Sequence, residues 1–357
     1  MMYSIASGIG GIPITEKSCM SSQRLLATRG TLRISSYGVV MNIGSLVVRR
    51  RCSAFPTLKV KAIGKEDQKE DRFPPQHQET QPGKEYLMNP RPQFSNPNYN
   101  PSDKLRGKVA LVTGGDSGIG RAICYAFAKE GATIAFTYVK GDEDIDAADT
   151  LKIIKEAKTS ESSDPTAIPT DLRYNQNCQD VVDDVIAKYG HIDVLINNPA
   201  VQYPLYSLED ITEERLEKVF RTNIFSYFFM TRHAIKHMKQ GSSIINTASL
   251  VAYIGNGKFL DYGSTKGAVV SFTRGLSQFL LDKGIRVNGV APGPVWTPLE
   301  VSGQDDEEIV IFGSQVPMDR AAQPYEMAPS YVFLASEDSS YFTGQVLHPN
   351  GGVIVNA

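Results

Sequence analysis

The fold is decided at residues 109–120, which read VALVTGGDSGIG. The short apolar run Val109–Val112 predicts a buried strand, and the glycines after it let the backbone turn sharply. Such a turn brings the backbone close to a pyrophosphate, which binds at the N-terminus of the following helix. The spacing is Gly-x3-Gly-x-Gly rather than the Gly-x-Gly-x2-Gly of most dinucleotide-binding folds. The motif predicts a phosphate-binding turn, with a chance glycine turn as the alternative.

Beyond this turn, apolar runs alternate with helical stretches. We expect strands at Val109–Val112, Thr133–Tyr138, Ala167–Pro169, Ile192–Ile196, Ser243–Asn246, Arg286–Val290 and Gln345–Leu347. We expect helices at Arg121–Glu130, Ile145–Lys158, Gln176–Tyr189, Glu213–Phe220 and Tyr262–Leu281. Continuous apolar strands separated by helices predict a parallel sheet that is covered on both faces. The pattern indicates one α/β domain, a doubly wound, Rossmann-like fold with a seven-stranded parallel sheet.

A second group of residues is suited to acid–base chemistry. Tyr262 and Lys266 are spaced i and i+4 on a predicted helix and share one face, and Ser249 precedes Tyr262 by thirteen residues. A nearby ammonium favours the phenolate and lowers the pKa of a tyrosine from about 10 toward the working pH. We therefore expect Tyr262 to exchange a proton with a carbonyl or alcohol oxygen that Ser249 hydrogen-bonds. Taken singly, Tyr-x3-Lys is an ordinary helix-surface pair.

From about residue 104 to 357 the chain resembles the short-chain dehydrogenase/reductase family. The matching pieces are Thr113–Gly120, Asn197-Asn198-Pro199-Ala200, Asn223, Ser249, Tyr262, Lys266 and Pro292-Gly293. The resemblance implies that Tyr262 donates or accepts the proton and that Ser249 orients the carbonyl. It also implies that Lys266 holds the nicotinamide ribose and that Asn223 positions a water for proton relay. Pro199 departs from the family, where Ala is usual, and this puts the local hydrogen bonding in doubt.

The resemblance further implies a nicotinamide dinucleotide cofactor. Its expected binding residues are Gly114, Ser117, Gly118, Ile119, Gly120, Tyr138, Lys140, Asp171, Leu172, Asn197, Tyr262, Lys266, Pro292, Gly293 and Val295. Within this set, Pro292 to Val295 would hold the carboxamide of the nicotinamide, and Asp171 with Leu172 would line the adenine.

The residues after the second strand bear on the choice of cofactor. Family members that use NAD usually place Asp at the end of this strand, where it binds the ribose 2′-OH. Here that position is Tyr138, and Lys140 two residues on tolerates a 2′-phosphate, so NADP(H) is expected. In the alternative, Lys140 extends into solvent, Asp142 and Glu143 supply the acid, and NAD(H) is used.

The N-terminal part of the chain differs in charge from the rest. Residues 1–65 hold ten Lys and Arg against one acid, a balance of +9, whereas the other 292 residues carry −11. Arg-rich, Ser-rich and acid-poor composition is typical of organelle transit peptides. We expect residues 1–60 to be such a peptide, cleaved between Arg51 and Lys65, and the Ser content favours the chloroplast over the mitochondrion. The alternative is a disordered basic tail that stays on the protein, which leaves a cytoplasmic location open.

Residues 61–105 are expected to form a Pro-rich extended arm ahead of a domain at 106–357. Seven prolines between Pro74 and Pro101 exclude a helix or a central strand. A free spacer would lack aromatic residues, yet this segment interleaves Phe73, Tyr86, Phe94 and Tyr99. We expect these rings to pack on the body or on a neighbouring subunit, with a flexible spacer as the alternative.

Parts of the arm resemble a plant subgroup of the family. These parts are Phe73–Gln78, Gln81–Gly83 and Met88–Pro90, together with Asp261–Lys266 in the body. The subgroup includes glucose and ribitol dehydrogenase homologues and a chloroplast NADPH-dependent aldehyde reductase.

The segment Trp296–Met318 carries the acid run Asp305–Glu308 and fits a lid that closes over substrate, or an ordinary pair of surface helices. Side chains expected near the substrate are Val201, Gln202, Tyr203, Val251 and Tyr253. No Lys or Arg evidently faces a phosphate or carboxylate, so we expect a small neutral carbonyl or polyol as substrate.

These features favour NADPH-dependent reduction of aldehydes and other reactive carbonyls to alcohols, with Tyr262 as proton donor. Oxidation of sugars or polyols such as glucose or ribitol is one alternative, and reduction of a 3-oxoacyl chain is another. An acyl carrier would require a basic patch near the lid, which the acid run Asp305–Glu308 argues against. A nucleotide-binding stress protein without turnover is the non-enzyme alternative, and the intact tetrad argues against it.

Several partners and sites are not expected. Neither Cys124 nor Cys178 lies in a Cys/His cluster, so no metal is expected. An acidic body argues against nucleic acid, and no apolar stretch approaches the 18 residues of a membrane span. The resemblance implies a homo-oligomer, a dimer or tetramer, that associates through the helix carrying Tyr262 and Lys266.

Overall fold

The computed structural model describes residues 72–355. The expected transit peptide at 1–60, with its cleavage site, and the first residues of the arm lie outside the described residues. Among residues 72–355, none of the helices combines the length and apolarity that a bilayer span requires. Within the same range, no cluster of His, Cys, Asp and Glu side chains could hold a metal ion.

Seven parallel strands form one sheet, in the order β3-β2-β1-β4-β5-β6-β7. The strands are β1 Val109–Val112, β2 Thr133–Tyr138, β3 Thr166–Pro169, β4 Val194–Asn197, β5 Ser243–Thr247, β6 Arg286–Val290 and β7 Val346–Leu347. In the register of the sheet, Val112 pairs with Phe136 on one side and with Ile196 on the other. The strand order reverses between β1 and β4, which creates a crevice at the carboxyl ends of these strands. The expected doubly wound α/β fold is confirmed.

Helices cover both faces of the sheet. They are α1 Gly118–Lys129, α2 Asp144–Ala157, α3 Asn175–Tyr189, α4 Glu213–Phe220, α5 Ser226–Ala234, α6 Val251–Ile254, α7 Leu260–Phe279, α8 Pro298–Val301, α9 Asp306–Val310 and α10 Pro324–Ala335. The sequence did not predict α10, because Pro329 lies inside it and proline disfavours a helix interior. It also missed α5, which continues from α4 through a π-helical turn at Arg221–Phe225.

Strand β1 shows how the two cores are separated. Ala110 and Val112 belong to the core beneath α1 and α10, whereas Leu111 belongs to the core beneath α3 and α5. Successive side chains of a strand point to opposite faces, so a run of four buried apolar residues serves both cores. This explains why the strand reads as continuously apolar rather than alternating.

The described part of the arm packs on the body of its own chain. Phe73 stacks on Trp296 with ring centroids 3.8 Å apart and an interplanar angle of 8°. The indole Nε1 of Trp296 donates a hydrogen bond of 2.9 Å to the carbonyl of Pro90. Phe94 meets Tyr125 of α1 edge to face, with centroids 5.4 Å apart. These contacts exclude a flexible spacer for the described residues of the arm.

Candidate active site

A cavity of about 580 Å³ opens at the carboxyl ends of the central strands, where the strand order reverses. Its walls come from the glycine turn after β1, the loops after β4, β5 and β6, helix α7 and helix α8. The arm contributes Gln81, Pro82 and Gly83 to the same cavity. The arm is therefore part of the cavity wall. The volume of the cavity is typical of sites that bind small molecules.

Glycine is required in the turn after β1. Gly114 and Gly118 have positive φ angles of 63° and 50°, which residues with a Cβ rarely adopt. A Cβ on Gly120 would lie 1.8 Å from the carbonyl oxygen of Gly114, so this position admits no side chain at all. Gly120 is buried and shapes the turn without lining the cavity. Ser117 and Ile119, which flank the start of α1, do line it.

The arm also holds this turn from outside. Oε2 of Glu85 accepts a hydrogen bond of 2.6 Å from the backbone N–H of Gly118. Oε1 of Glu85 accepts one of 2.6 Å from Nη1 of Arg121, and Nη2 of Arg121 donates to Asp146 at 3.2 Å. Burial raises the pKa of Glu85 to about 7, although Arg121 opposes the shift. The guanidinium of Arg121 thus forms salt bridges with two buried carboxylates, those of Glu85 and Asp146.

Tyr262 lies on α7 with its side chain buried and facing the cavity. Its hydroxyl is hydrogen-bonded to that of Ser249, which follows β5. Burial raises the pKa of Tyr262 above its usual range, while the bond from Ser249 lowers it and the charge of Glu300 raises it further. The lowering of this pKa that the sequence predicts is therefore not found in this structure, where burial of the hydroxyl is the largest cause of the shift.

Lys266 is almost fully buried one helical turn after Tyr262. Its Nζ donates a hydrogen bond of 2.9 Å to the carbonyl of Thr247 and lies 5.5 Å from the centroid of the Tyr262 ring. Burial lowers the pKa of Lys266 to about 7. The i, i+4 spacing brings the two side chains together as expected, with the ammonium against the ring of Tyr262.

Asn223 lies in the π-helical turn between α4 and α5, a feature that often occurs at functional sites. Its Oδ1 accepts from the N–H of Val201, and its Nδ2 donates to the carbonyl of Val201, both at 2.8 Å. Nδ2 also donates to Thr265 at 3.2 Å. The side chain therefore fixes the loop after β4 and does not line the cavity, and its role in a water relay stays a prediction.

Thirteen of the expected site residues line the cavity. They are Gly114, Ser117, Gly118, Ile119, Tyr138, Asp171, Leu172, Ser249, Tyr262, Lys266, Pro292, Gly293 and Val295. Asn197 does not, since its Nδ2 is turned into the core toward Asn246 at 2.9 Å. The neighbouring Asn198 lines the cavity instead and donates from Nδ2 to the carbonyl of Gly114 at 3.1 Å. Alternation along β4 explains the exchange.

Two further sets of expected residues lie wholly or partly outside the lining. Lys140 is exposed and does not line the cavity, whose wall after β2 includes Val139, Asp142 and Glu143. Its contact with a 2′-phosphate stays a prediction. Of the residues expected near the substrate, Tyr203 and Tyr253 also lie outside the lining, while Val201, Gln202 and Val251 are part of it. The carbonyl of Pro199 accepts from the hydroxyl of Tyr227 at 3.3 Å.

Segment 296–318 forms one side of the cavity wall, and its closing over substrate stays a prediction. Leu299, Glu300 and Gln304 from this segment face the cavity, together with Phe312 and Gln315. Glu300 is not among the residues expected from the sequence, because its only local signal is its place two residues after Pro298.

Comparison with known proteins identifies the family. A family model described as enoyl-(acyl carrier protein) reductase matches residues 114–354. The chain is 66% identical over 285 residues to glucose and ribitol dehydrogenase from Daucus carota, covering 80% of this chain and 98% of that protein. It is also 66% identical over 283 residues to NADPH-dependent aldehyde reductase 1, chloroplastic, from Arabidopsis thaliana, covering 79% and 98%.

Solved structures agree with this assignment. A short-chain dehydrogenase from Burkholderia cenocepacia in complex with NADP gives a TM-score of 0.64 at 27% identity, over 70% of this chain and 98% of that chain. The chain belongs to the short-chain dehydrogenase/reductase family. Another structure, an NADH-dependent reductase complexed with NAD, gives a TM-score of 0.61 at 30% identity, over 71% and 99%.

As a short-chain dehydrogenase/reductase, the chain is an oxidoreductase of CH–OH and carbonyl groups that binds a nicotinamide dinucleotide. The residues present fit such a cofactor. The glycine turn leaves the N-terminus of α1 open to the cavity at Ser117 and Ile119, as a pyrophosphate requires. A Cβ on Gly293 would lie 2.8 Å from the backbone of Asn350, so the loop after β6, which lines the cavity, can pack this closely on the segment at Asn350 only with glycine there.

Proposed function

We propose that the protein reduces aldehydes and other reactive carbonyls to alcohols with NADPH, and that Tyr262 is the proton donor. The observation that carries this proposal is the geometry around Tyr262. Its hydroxyl faces the cavity beside Ser249, and Nζ of Lys266 lies 5.5 Å from the centroid of its ring. A positioned hydroxyl that can give its proton to a carbonyl oxygen is what the reductive direction requires.

The roles of the chain's own residues follow from this geometry. A bound reduced nicotinamide would supply the hydride. Ser249 would hydrogen-bond the carbonyl oxygen of the substrate and stabilise the charge that develops there. Tyr262 would then transfer its proton to that oxygen, and the ammonium of Lys266, 5.5 Å from the ring centroid, would stabilise the phenolate that forms. Lys266 would also hold the nicotinamide ribose.

The variant Tyr262→Phe tests this proposal, because it removes only the hydroxyl. We expect kcat for aldehyde reduction to fall by about 10²- to 10⁴-fold, the usual contribution of a general acid. NADPH binding, measured by fluorescence titration, should persist. Retained turnover would exclude Tyr262 as the proton donor. Tyr341→Phe, at a surface position that is 99% exposed, is the matched control.

NADPH is the cofactor that we propose, with NADH as the alternative. A relative named as NADPH-dependent and a neighbour in complex with NADP support NADPH, as does Tyr138 in place of an acid at the end of β2. Asp142 and Glu143 at the cavity and the neighbour complexed with NAD favour the alternative. Tyr138→Asp should reduce the ratio of kcat/KM for NADPH to that for NADH by about tenfold or more, since a carboxylate repels a 2′-phosphate. An unchanged ratio would show that this position does not face the 2′ group.

Sugar and polyol oxidation is the second candidate. A relative named glucose and ribitol dehydrogenase supports it, and so does the polar wall that Glu300, Gln202 and Gln304 form in the cavity. Rates for propanal with NADPH and for ribitol with NADP, measured with the same preparation, rank the two activities.

We also propose a plastid location and a homo-oligomer. The location rests on the composition of residues 1–60 and on a relative named as chloroplastic. A fluorescent fusion of residues 1–71 tests it, and cytosolic fluorescence would contradict it. The oligomer rests on the family resemblance and on exposed apolar side chains of α5 and α7, Phe228 and Phe279. Sedimentation equilibrium of the full chain measures the subunit number.

A further inference from the structure

A carboxyl group lies in the wall of the cavity that holds Tyr262. Glu300 is carried by α8 and faces the cavity, and its charge is close enough to raise the pKa of Tyr262. Burial raises the pKa of Glu300 itself to about 7. Burying a carboxyl group is unfavourable unless hydrogen-bond donors lie beside it.

Two glutamine side chains orient this carboxyl group. Nε2 of Gln202 donates to Oε2 of Glu300 at 3.2 Å, and Nε2 of Gln304 donates to the same oxygen. Both contacts use Oε2, and neither hydrogen bond goes to Oε1. Gln202 and Gln304 also line the cavity, so this side is polar. Of these three side chains, only Gln202 was expected near the substrate from the sequence.

The arm fixes the position of Gln202. Oε1 of Gln81 accepts from the backbone N–H of Gln202 at 2.9 Å, and Nε2 of Gln81 donates to the carbonyl of Gln202 and, at 3.0 Å, to that of Ser302. Gln81 therefore joins the loop after β4 to the end of α8. Because Gln202 donates a hydrogen bond to Glu300, Gln81 also helps to position the carboxyl group of Glu300.

An oriented carboxyl oxygen in a substrate cavity accepts hydrogen bonds from hydroxyl groups. When an aldehyde without hydroxyl groups binds, it displaces water from this carboxyl oxygen and offers no hydrogen bond in return, which weakens binding. A hydroxylated chain donates a hydrogen bond to the same oxygen. We propose that Glu300 is a specificity-determining residue that accepts hydrogen bonds from substrate hydroxyl groups, so that the pocket selects hydroxylated aldehydes and the corresponding polyols. The inference rests on the proposed function, since it names the substrate class for the same site.

The experiment compares glyceraldehyde with propanal, which has the same three-carbon chain without the two hydroxyl groups. Both are reduced with NADPH by the wild type and by Glu300→Ala. At a pH above about 7, where the carboxyl group is ionised, we expect kcat/KM for glyceraldehyde to fall by about 10- to 100-fold in the variant, as for a lost hydrogen bond to a charged group. We expect kcat/KM for propanal to change by less than about threefold. Equal losses for both substrates, or no loss for glyceraldehyde, would overturn the proposal. Glu156→Ala, an exposed position of α2, should leave both values unchanged.

A second measurement separates this proposal from the proposed function. Ribitol should raise the thermal midpoint of the wild type and of Glu156→Ala but not that of Glu300→Ala, and this readout needs no turnover. If neither aldehyde is reduced but ribitol still stabilises in a Glu300-dependent way, the proposed function fails and the specificity role stands. If ribitol stabilises the wild type and Glu300→Ala equally, the specificity role fails whatever the activity.

Gln81→Ala tests the positioning step. Gln81 is a positioning residue, because it acts on Glu300 through Gln202. We expect a rise in KM for glyceraldehyde with a smaller change in kcat, and no rise in KM for propanal. A fall in kcat alone for both substrates would contradict a positioning role.

Discussion

The carboxylate of Glu85 accepts a hydrogen bond of 2.6 Å from the backbone N–H of Gly118, and this contact joins the arm to the first turn of α1. The two residues are 33 positions apart, one in the Pro-rich arm and one in the glycine turn. The described part of the arm has no hydrophobic core of its own, yet it hydrogen-bonds to the backbone that would bind a pyrophosphate. The arm therefore packs as part of the same domain.

Replacing Glu85 with Ala should destabilise the fold. The change leaves the N–H of Gly118 without its partner and Arg121 with a single carboxylate, both in a buried place. We expect the free energy of unfolding to fall by about 3 kcal/mol, the usual cost of breaking a buried pair from one side. Urea denaturation of the full chain measures it. Glu79→Ala, at an exposed position of the arm, should change it by less than about 0.5 kcal/mol, and equal values for the two variants would contradict the contact.

The same residue predicts a pH dependence of stability. The pKa of Glu85 is raised from 4.5 to about 7 in the folded state, so the folded protein binds this proton more tightly than the unfolded chain does. The resulting stabilisation is complete below about pH 4.5 and is lost as the pH rises through about 7. Relative to Glu85→Gln, the wild type should therefore lose stability between about pH 5 and pH 8, by about 3 kcal/mol in all. A stability difference that stays constant over this range would show that Glu85 does not titrate there.

Gly120→Ala should prevent the glycine turn after β1 from binding NADPH. The added Cβ would lie 1.8 Å from the carbonyl oxygen of Gly114, so the backbone of the turn must move. We expect loss of NADPH binding in fluorescence titrations, and lower stability. The control is Gly275→Ala in α7, where a Cβ meets nothing within 4 Å and the helix should gain about 0.5–1 kcal/mol. Binding of NADPH by Gly120→Ala with unchanged affinity would refute the steric argument.

Phe73→Ala should release the start of the described arm from the body. Phe73 stacks on Trp296, which is fully buried and is the only tryptophan of the chain. We expect a loss of about 3–5 kcal/mol in the free energy of unfolding, as for other buried Phe→Ala changes. The emission of Trp296 should also shift to longer wavelength as water reaches the indole. Phe73→Leu, which keeps an apolar side chain, should give a smaller shift, and identical spectra for all three proteins would contradict the stacking.

Local spacing predicted part of the site correctly and part of it not. Tyr262 and Lys266 meet because residues i and i+4 share a helix face, whatever surrounds them. The direction in which the pKa of Tyr262 shifts depends on how far the fold buries the hydroxyl, and the sequence does not show the extent of this burial. Lys140 shows the same limit, because two residues after a strand a side chain can point to the cavity or to solvent.

The sequence by itself determined the seven strands, the glycine turn and the helical spacing of Tyr262 and Lys266, since each depends on neighbours within a few residues. Only the tertiary structure decided that the arm lies against the glycine turn and segment 296–318, and that Glu300 and Tyr262 line the same cavity. Gln81 and Gln202 are 121 residues apart, and Gln202 and Glu300 are 98 apart. Contacts over such separations have no periodicity in the sequence. They form only when the sheet has brought the loops to one edge.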